Sequence, residues 1–372
     1  MTLILEHIDV SSNREFDNHK TILKATDPQT GMRAFIAVHD TTMGPALGGC
    51  RYWSGYASED EAITDVLRLS RGMTYKNALA RLDLGGGKAV IMGKKGQNNP
   101  TREEMVAFGQ AVESLKGDYI TAEDVGISVE DMIIVKEMTD HVTGLPSDDP
   151  AITSGDPSPY TAYGVFLGIQ ESVKQKLKKD DLSGVKVAVA GLGHVGMDLC
   201  RRLHEVGAEL YVSDIRQDVL DEAVKNYGAT IIAPEEYMSA DVDVLAPCAL
   251  GGMVNDNTID FIKASIIAGA ANNQLDRPEH GKILHDKGIL YAPDYVINAA
   301  GVISVAMSGH PVKDTNERID ELGETLGAIF RQSERLNMPT SAVADKIAEK
   351  IIEDKVASGN FTEAPEKLAR SA

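Results

Sequence analysis

The run Gly191-Leu192-Gly193-His194-Val195-Gly196 constrains what this chain can fold into more than any other part of it. GxGxxG alone is common. Here the β-branched run VKVAVA (185–190) leads into it and a helix-forming stretch follows at 195–206. A second strand-like run, ELYVSD (209–214), then ends in Asp214 about twenty residues on. Strand, glycine turn, helix and acid-tipped strand make the first half of a dinucleotide-binding βαβ unit. The glycines allow a tight turn and bring backbone N–H groups to a pyrophosphate at the helix N-terminus. Asp214 would accept hydrogen bonds from the adenosine ribose and repel a 2′-phosphate. NAD is therefore expected over NADP, with Arg216 leaving a case for dual use. The expected cofactor contacts are Gly191, Gly193, His194, Val195, Gly196, Asp214 and Ile215.

Further short apolar runs at 229–232, 241–246, 265–270 and 288–292 alternate with helical stretches, which predicts an α/β architecture with a parallel sheet and right-handed crossovers. Ligands bind at the carboxyl ends of such strands. Two loops fall there, 247–252 and 269–274, and they add Cys248, Ala249 and Asn273 as candidate cofactor contacts. The amides Asn272, Asn273 and Gln274 are read either as a plain turn or as holders of a nicotinamide carboxamide or a substrate amine.

Four prolines in GLPSDDPAITSGDPSP (144–159) rule out a continuing helix or central strand and mark a boundary. At 372 residues two domains are expected: 1–147, carrying a substrate site, and 148–334, binding the dinucleotide. Residues 316–355 read as helical and the tail to Ala372 as frayed.

In the first domain, MRAFIAVHD (32–40) reads as a strand and the glycine-rich stretch 44–51 as a loop. Ser58 and Glu61 form a capping-box pattern. It opens a helix whose apolar positions Ala62, Val66, Leu69 and Met73 lead to Lys76. Gly85, Gly86 and Gly87 precede Lys88 and are read as a tight turn beside a ligand, followed by a short strand at 89–92. Apolar neighbours destabilise a lysine's charged form, which makes Lys88 a candidate base; the plainer reading is a snorkelling surface lysine. A strand at 118–126 ends in Glu123 and Asp124, and a carboxylate is the partner that proton transfer beside lysines requires.

Composition narrows the partners. A net charge of −19 argues against nucleic-acid or anionic-membrane surfaces. No apolar run is long enough to span a bilayer. Three scattered cysteines suit a reducing cytoplasm, and nine histidines without HExxH or a Cys/His cluster predict no metal site.

Eight motifs, in order along nearly the whole chain, resemble the Glu/Leu/Phe/Val amino-acid dehydrogenase family, most closely its leucine-specific members. They are GPALGGCR (44–51), MTYKNA (73–78), GGGKAVI (85–91), YITAEDVG (119–126), GLGHVG (191–196), APCALGG (246–252), GAANNQL (269–275) and YAPDYVINAAG (291–301). The resemblance implies an N-terminal α/β substrate domain, a C-terminal Rossmann domain, and terminal helices from about 335 to 372 that pack back on the first. It implies NAD-dependent, reversible oxidative deamination of a branched-chain L-amino acid to a 2-oxo acid and ammonium, in a cytoplasmic homo-oligomer (dimer or octamer). By motif, Lys76 would hold the substrate carboxylate, Lys88 would activate water, and Asp124 would shuttle protons. Asn273 would contact the amino group or the carboxamide. The substrate site would also use Gly48, and Leu47, Ala122, Val302 and Val305 would wall an aliphatic pocket. Alternatives are the same chemistry on phenylalanine or tryptophan, an NAD enzyme acting on a hydroxy acid or folate, or a non-catalytic NAD-binding regulator. Ala300 and His194 depart from the usual family pattern, which bears on substrate preference more than on reaction class.

Overall fold

The computed structural model describes residues 3–358, so the expected frayed tail lies outside the described residues. The chain forms two compact units. One holds the chain up to Asp156, Val302–Lys313, and the end of the last helix from Ile352; the other holds Pro157–Gly301 and Asp314–Ile351.

In the first unit the strands are β1 (Ile4–His7), β2 (Thr21–Asp27), β3 (Met32–Asp40), β4 (Ala46–Trp53), β5 (Gly85–Met92) and β6 (Tyr119–Glu123). The helices are α1 (Glu59–Leu79), α2 (Arg102–Glu113) and α3 (Val129–Lys136). The sheet runs β1-β2-β3-β5-β4-β6, antiparallel from β1 through β5 and parallel where β4 pairs with β5 and β6. α1 covers one face, packing Ala62, Ile63, Val66 and Leu67 with Phe35, Ala37 and Val90. Phe108 and Val112 of α2 and Met132 and Val135 of α3 cover the other, with Ile36, Ala89 and Ile91. A sheet covered on both faces needs strands that are apolar throughout, and β5 is buried along seven of its eight positions. Ser58 accepts from the Glu61 amide, acidic residues fill the first turn of α1 and Lys76 lies in its last, which suits the helix dipole.

The glycine triplet is not a turn. Gly85, Gly86 and Gly87 lie inside β5, and none has a positive φ. A Cβ on Gly85 would sit 2.0 Å from the Asp40 carbonyl, on Gly86 2.1 Å from the Thr74 amide, and on Gly87 2.6 Å from the Tyr119 ring. The side chains are missing because backbone and ring press on the strand from both faces. The 44–51 stretch is likewise strand from Ala46 on: a Cβ on Gly48 would meet the Gly87 carbonyl at 1.8 Å.

The second unit is built from α4 (Ser158–Leu177), β7 (Lys186–Ala190), α5 (His194–Glu205), β8 (Glu209–Ser213), α6 (Gln217–Tyr227), β9 (Thr230–Ile231), β10 (Val244–Pro247), β11 (Ile266–Ile267), α7 (Glu279–Asp286), β12 (Leu290–Tyr291) and α8 (Asp294–Ile297). α9 (Ala300–Ala306), α10 (Val312–Leu336) and α11 (Thr340–Ser358) follow, the last two separated at Asn337, whose φ is 51°. The sheet, β12-β11-β10-β7-β8-β9, is parallel throughout, as the alternation predicts. Strand order reverses at β7, the switch point at which such sheets bind ligands.

The division falls at 156/157, past the expected 147/148. The reason is backbone pairing: Ile152 bridges Pro311, and the Thr153 amide donates to the His310 carbonyl at 2.8 Å, so the proline-rich segment is tied to 309–312. The expected return of residues 335 onward to the first unit is also revised. The Thr340 hydroxyl donates to the Tyr291 carbonyl at 2.6 Å and the Tyr295 hydroxyl meets Asp345, which keep most of α11 with the second unit. Only its end belongs to the first, where Lys355 pairs with Asp83 at 2.7 Å.

Candidate active site

In the second unit, the three glycines after β7 are required for different reasons. Gly191 has φ 91°, in the left-handed region, and a Cβ there would strike Ala249. A Cβ on Gly196 would lie 1.9 Å from the Gly191 carbonyl, so the helix packs tightly on the turn. Gly193 meets nothing within 4 Å, so no protein contact explains it. Gly193 caps α5 without a side-chain hydrogen bond, at the helix end whose dipole favours an anion. Asp214 closes the turn: its Oδ2 accepts from the Leu192 amide at 2.7 Å and its Oδ1 from the Arg216 amide at 2.9 Å. Burial pushes this carboxyl up, but the two amides and the Arg216 guanidinium together bring it below its ordinary value. His194 and Ile215 are exposed, and Val195 is half-buried. This cradle fits a dinucleotide.

Ala249 touches the glycine turn, so the loops after β7 and β10 meet as the strand order requires. Cys248 is half-buried with its thiol pushed up to about 11 by burial, and so stays neutral. Asn273 is exposed in a left-handed conformation with φ 53°. Asn298, nearby, donates to the Ala270 carbonyl and to Asn272 Oδ1, and leaves its own Oδ1 buried without a partner.

The first unit gathers the candidate acid–base groups. Lys88 projects from β5 on the α1-covered face, and its Nζ lies 2.9 Å from Asp124 Oδ2. The Lys88 side chain is 7% exposed and that of Asp124 17%. Burial pushes the Asp124 carboxyl up, but Lys88 and Arg51 hold it down at about 2. It is an anion at neutral pH. Lys76 is half-buried in the last turn of α1. Its neighbour Asn77 donates to the Gly85 carbonyl at 2.6 Å and the Leu47 carbonyl at 3.4 Å, pinning the helix end to β4 and β5. Gly48 is buried, and its carbonyl accepts from the Tyr119 hydroxyl at 2.6 Å.

Leu47, Ala122, Val302 and Val305 come together in one apolar cluster with Leu84, Ile120 and Ala306. Residues 302–313 belong to the first unit, which is why valines so distant in sequence reach this cluster.

Arg51, Asp65 and Asn77 are the residues sequence reasoning missed. Arg51 donates to both Asp124 and Asp65, yet nothing in its spacing announces either partner. Its signal was the end of the GGCR motif. Cys50 and Cys200 are buried, no disulfide forms among the described residues, and no metal-binding group of His, Cys, Asp or Glu occurs among them. No helix among the described residues is long and apolar enough to cross a membrane.

Residues 19–141 match the family described as Glu/Leu/Phe/Val dehydrogenase, dimerisation domain, and residues 212–316 match Glutamate/Leucine/Phenylalanine/Valine dehydrogenase. The leucine dehydrogenase of Geobacillus stearothermophilus is 48% identical over 90% of this chain and 91% of its own. The valine dehydrogenase of Streptomyces virginiae is 42% identical over 90% of this chain and 94% of its own. The crystal structure of L-tryptophan dehydrogenase from Nostoc punctiforme superposes with a TM-score of 0.78 at 43% identity, covering 92% of this chain and 98% of that one. By these matches, and by the dinucleotide cradle and the lysine–carboxylate pair, the chain belongs to the Glu/Leu/Phe/Val dehydrogenase family, oxidoreductases that act on amino acids with a nicotinamide dinucleotide.

Proposed function

We propose that this protein catalyses the reversible, NAD-dependent oxidative deamination of a branched-chain L-amino acid to its 2-oxo acid and ammonium. The observation that carries this reading is the Lys88–Asp124 pair, held at 2.9 Å in a sheet whose neighbouring apolar cluster is wholly aliphatic. NAD, when bound, accepts the hydride from the substrate α-carbon. Lys76 holds the substrate carboxylate as a fixed ammonium. Lys88 directs a water onto the imine carbon. Asp124, already anionic, takes and returns the protons of the amine. Asn273 orients the amino group or the carboxamide, and Gly48 backs the substrate.

Leu47, Ala122, Val302 and Val305 offer no polar group, so a glutamate side chain would be desolvated without a partner. Similarity to leucine and valine dehydrogenases supports branched aliphatic substrates. A second reading, an aromatic amino acid, draws support from the likeness to the Nostoc tryptophan enzyme. Asp214 supports NAD over NADP. The family's description of residues 19–141 as a dimerisation domain supports a homo-oligomer, and the three free cysteines suit a cytoplasmic setting. A panel of L-amino acids assayed with NAD and with NADP by absorbance of the reduced cofactor tests the reading. Leucine, valine or isoleucine with NAD should be fastest, and turnover on none of the panel would refute it.

A further inference from the structure

Asp124 is held by two cations, and only one has a role in the chemistry proposed above. Lys88 Nζ and Arg51 Nε both reach the same oxygen, Oδ2, at 2.9 and 3.2 Å. The β4–β6 register sets this up. Cys50 stands opposite Glu123, so the next residues along each strand, Arg51 and Asp124, meet. Gly49 allows the approach, since a Cβ there would lie 2.8 Å from that of Asp124.

Arg51 is itself held from behind. Its Nη1 donates to Asp65 Oδ2 at 3.0 Å, and the Tyr56 hydroxyl donates to that same oxygen at 2.7 Å. Arg51, Asp65 and Asp124 side chains are 18%, 15% and 17% exposed. Two cations and two carboxylates thus alternate in a largely buried row, Lys88–Asp124–Arg51–Asp65, and Arg68 closes its far end on Asp65 Oδ1 at 3.5 Å. A lysine that also serves water or substrate divides its three N–H donors between them and Asp124, so its hold on that carboxylate is not fixed. A guanidinium cannot lose its proton and, fixed to Asp65 on α1, does not follow.

We propose that Arg51 is a positioning residue: anchored by Asp65 and Tyr56, it holds Asp124 Oδ2 in place while Lys88 turns to the reacting molecule, so that Oδ1 carries the proton. This rests on the acid–base role proposed for Asp124. It predicts that the loss in Arg51 variants lies in turnover and not in binding, because the geometry of proton transfer is what is disturbed.

The test uses the full-length enzyme with its best L-amino acid. Arg51→Ala should lower kcat about a hundredfold, as misplacement of a catalytic group does, with the NAD dissociation constant unchanged. Added guanidinium should restore part of that loss, and Arg51→Lys should retain more activity than Arg51→Ala. Asp65→Asn, which keeps the volume and leaves Arg51 in place but loosened, should lower kcat less. Combined with Arg51→Ala it should cost nothing further, since both act through one contact. Unchanged kcat in Arg51→Ala would overturn the proposal. So would a loss that tracks the folded fraction and does not respond to guanidinium, or losses that multiply in the double variant. Asp124→Asn separates the two ideas: a fully active Asp124→Asn enzyme sinks the role of Asp124 itself, whereas an inactive one beside a normal Arg51→Ala enzyme sinks only the part given to Arg51.

Discussion

Lys88 Nζ stands 2.9 Å from Asp124 Oδ2, joining a residue of β5 to the one that follows β6 across the intervening strand β4. Lys88 is buried, Asp124 is half-buried, and neither is free. Opposite charges at this distance in a poorly hydrated setting keep the carboxyl ionised far below neutral pH. The free enzyme therefore presents Asp124 as an anion at neutral pH.

Removal of either partner should act on chemistry and spare the cofactor. Lys88→Ala and Asp124→Asn are each expected to lose about 10²–10⁴-fold in kcat, the usual weight of a general acid–base group, while NAD titrated by fluorescence binds as before. Lys76→Ala should chiefly raise the Michaelis constant for the amino acid, since its contact is made equally in ground and transition states. Near-normal turnover in Lys88→Ala would contradict the assigned roles.

Cofactor choice should follow Asp214. Its carboxylate orders the glycine turn through the Leu192 amide and keeps Arg216 turned toward itself at 3.3 Å. Asp214→Ala is expected to weaken NAD and narrow its advantage over NADP, because the repulsion is gone and Arg216 is released to meet a 2′-phosphate. Comparison of kcat/KM for the two cofactors decides it. A wild-type preference for NADP would end the argument.

Stability should fall in mild acid through His19. This residue is 7% exposed; its Nδ1 accepts from the Asp17 amide and its Nε2 faces the Leu67 carbonyl and the Ser70 hydroxyl, with His39 packed edge-on at 4.7 Å. Burial pulls its pKa from 6.5 to about 4, even though the Leu67 carbonyl favours the charged ring. Between those values the unfolded chain binds the proton and the folded chain does not. The contribution is thus full above pH 6.5 and is lost as pH falls toward 4, at no more than about 1.4 kcal/mol per pH unit. Melting temperatures of wild type and His19→Gln across this window should converge as pH drops. Parallel curves would show that His19 does not carry the effect.

Substrate size should be read by Val302. Val302→Ala removes bulk from the cluster that also holds Leu47, Ala122 and Val305, and is expected to shift preference toward phenylalanine or tryptophan. One methylene in an apolar pocket is worth about 1–3 kcal/mol, so a shift of about tenfold or more in relative kcat/KM is the scale to look for. If wild type already turns over tryptophan faster than every branched-chain acid, the pocket assignment fails while the reaction class stands.

Much of this is legible in the sequence alone. The helix start at Ser58 is readable because a cap and its N3 partner, Glu61, are three residues apart. The dinucleotide turn was readable because Gly191, Gly196 and Asp214 answer to local demands: the sign of φ, a close approach within one turn, and the end of the next strand. The glycines before Lys88 were misread for the opposite reason. Their constraint comes from Asp40, Thr74 and Tyr119, three separate parts of the chain, and glycine looks the same in sequence whether it frees a turn or clears a strand.

The sequence by itself determined the parallel sheet, the edge at which sheets of this kind bind ligands and the residue types available for acid–base work, since periodicity and turn chemistry act over a few residues. Tertiary structure decided which charges meet. Strand register set Arg51 beside Asp124, the pairing of 152 with 311 moved the boundary to 156/157, and the return of 302–313 carried Val302 and Val305 to Leu47 and Ala122. Each is a contact between residues far apart along the chain, and a pattern of neighbours carries no record of which distant strand will lie alongside.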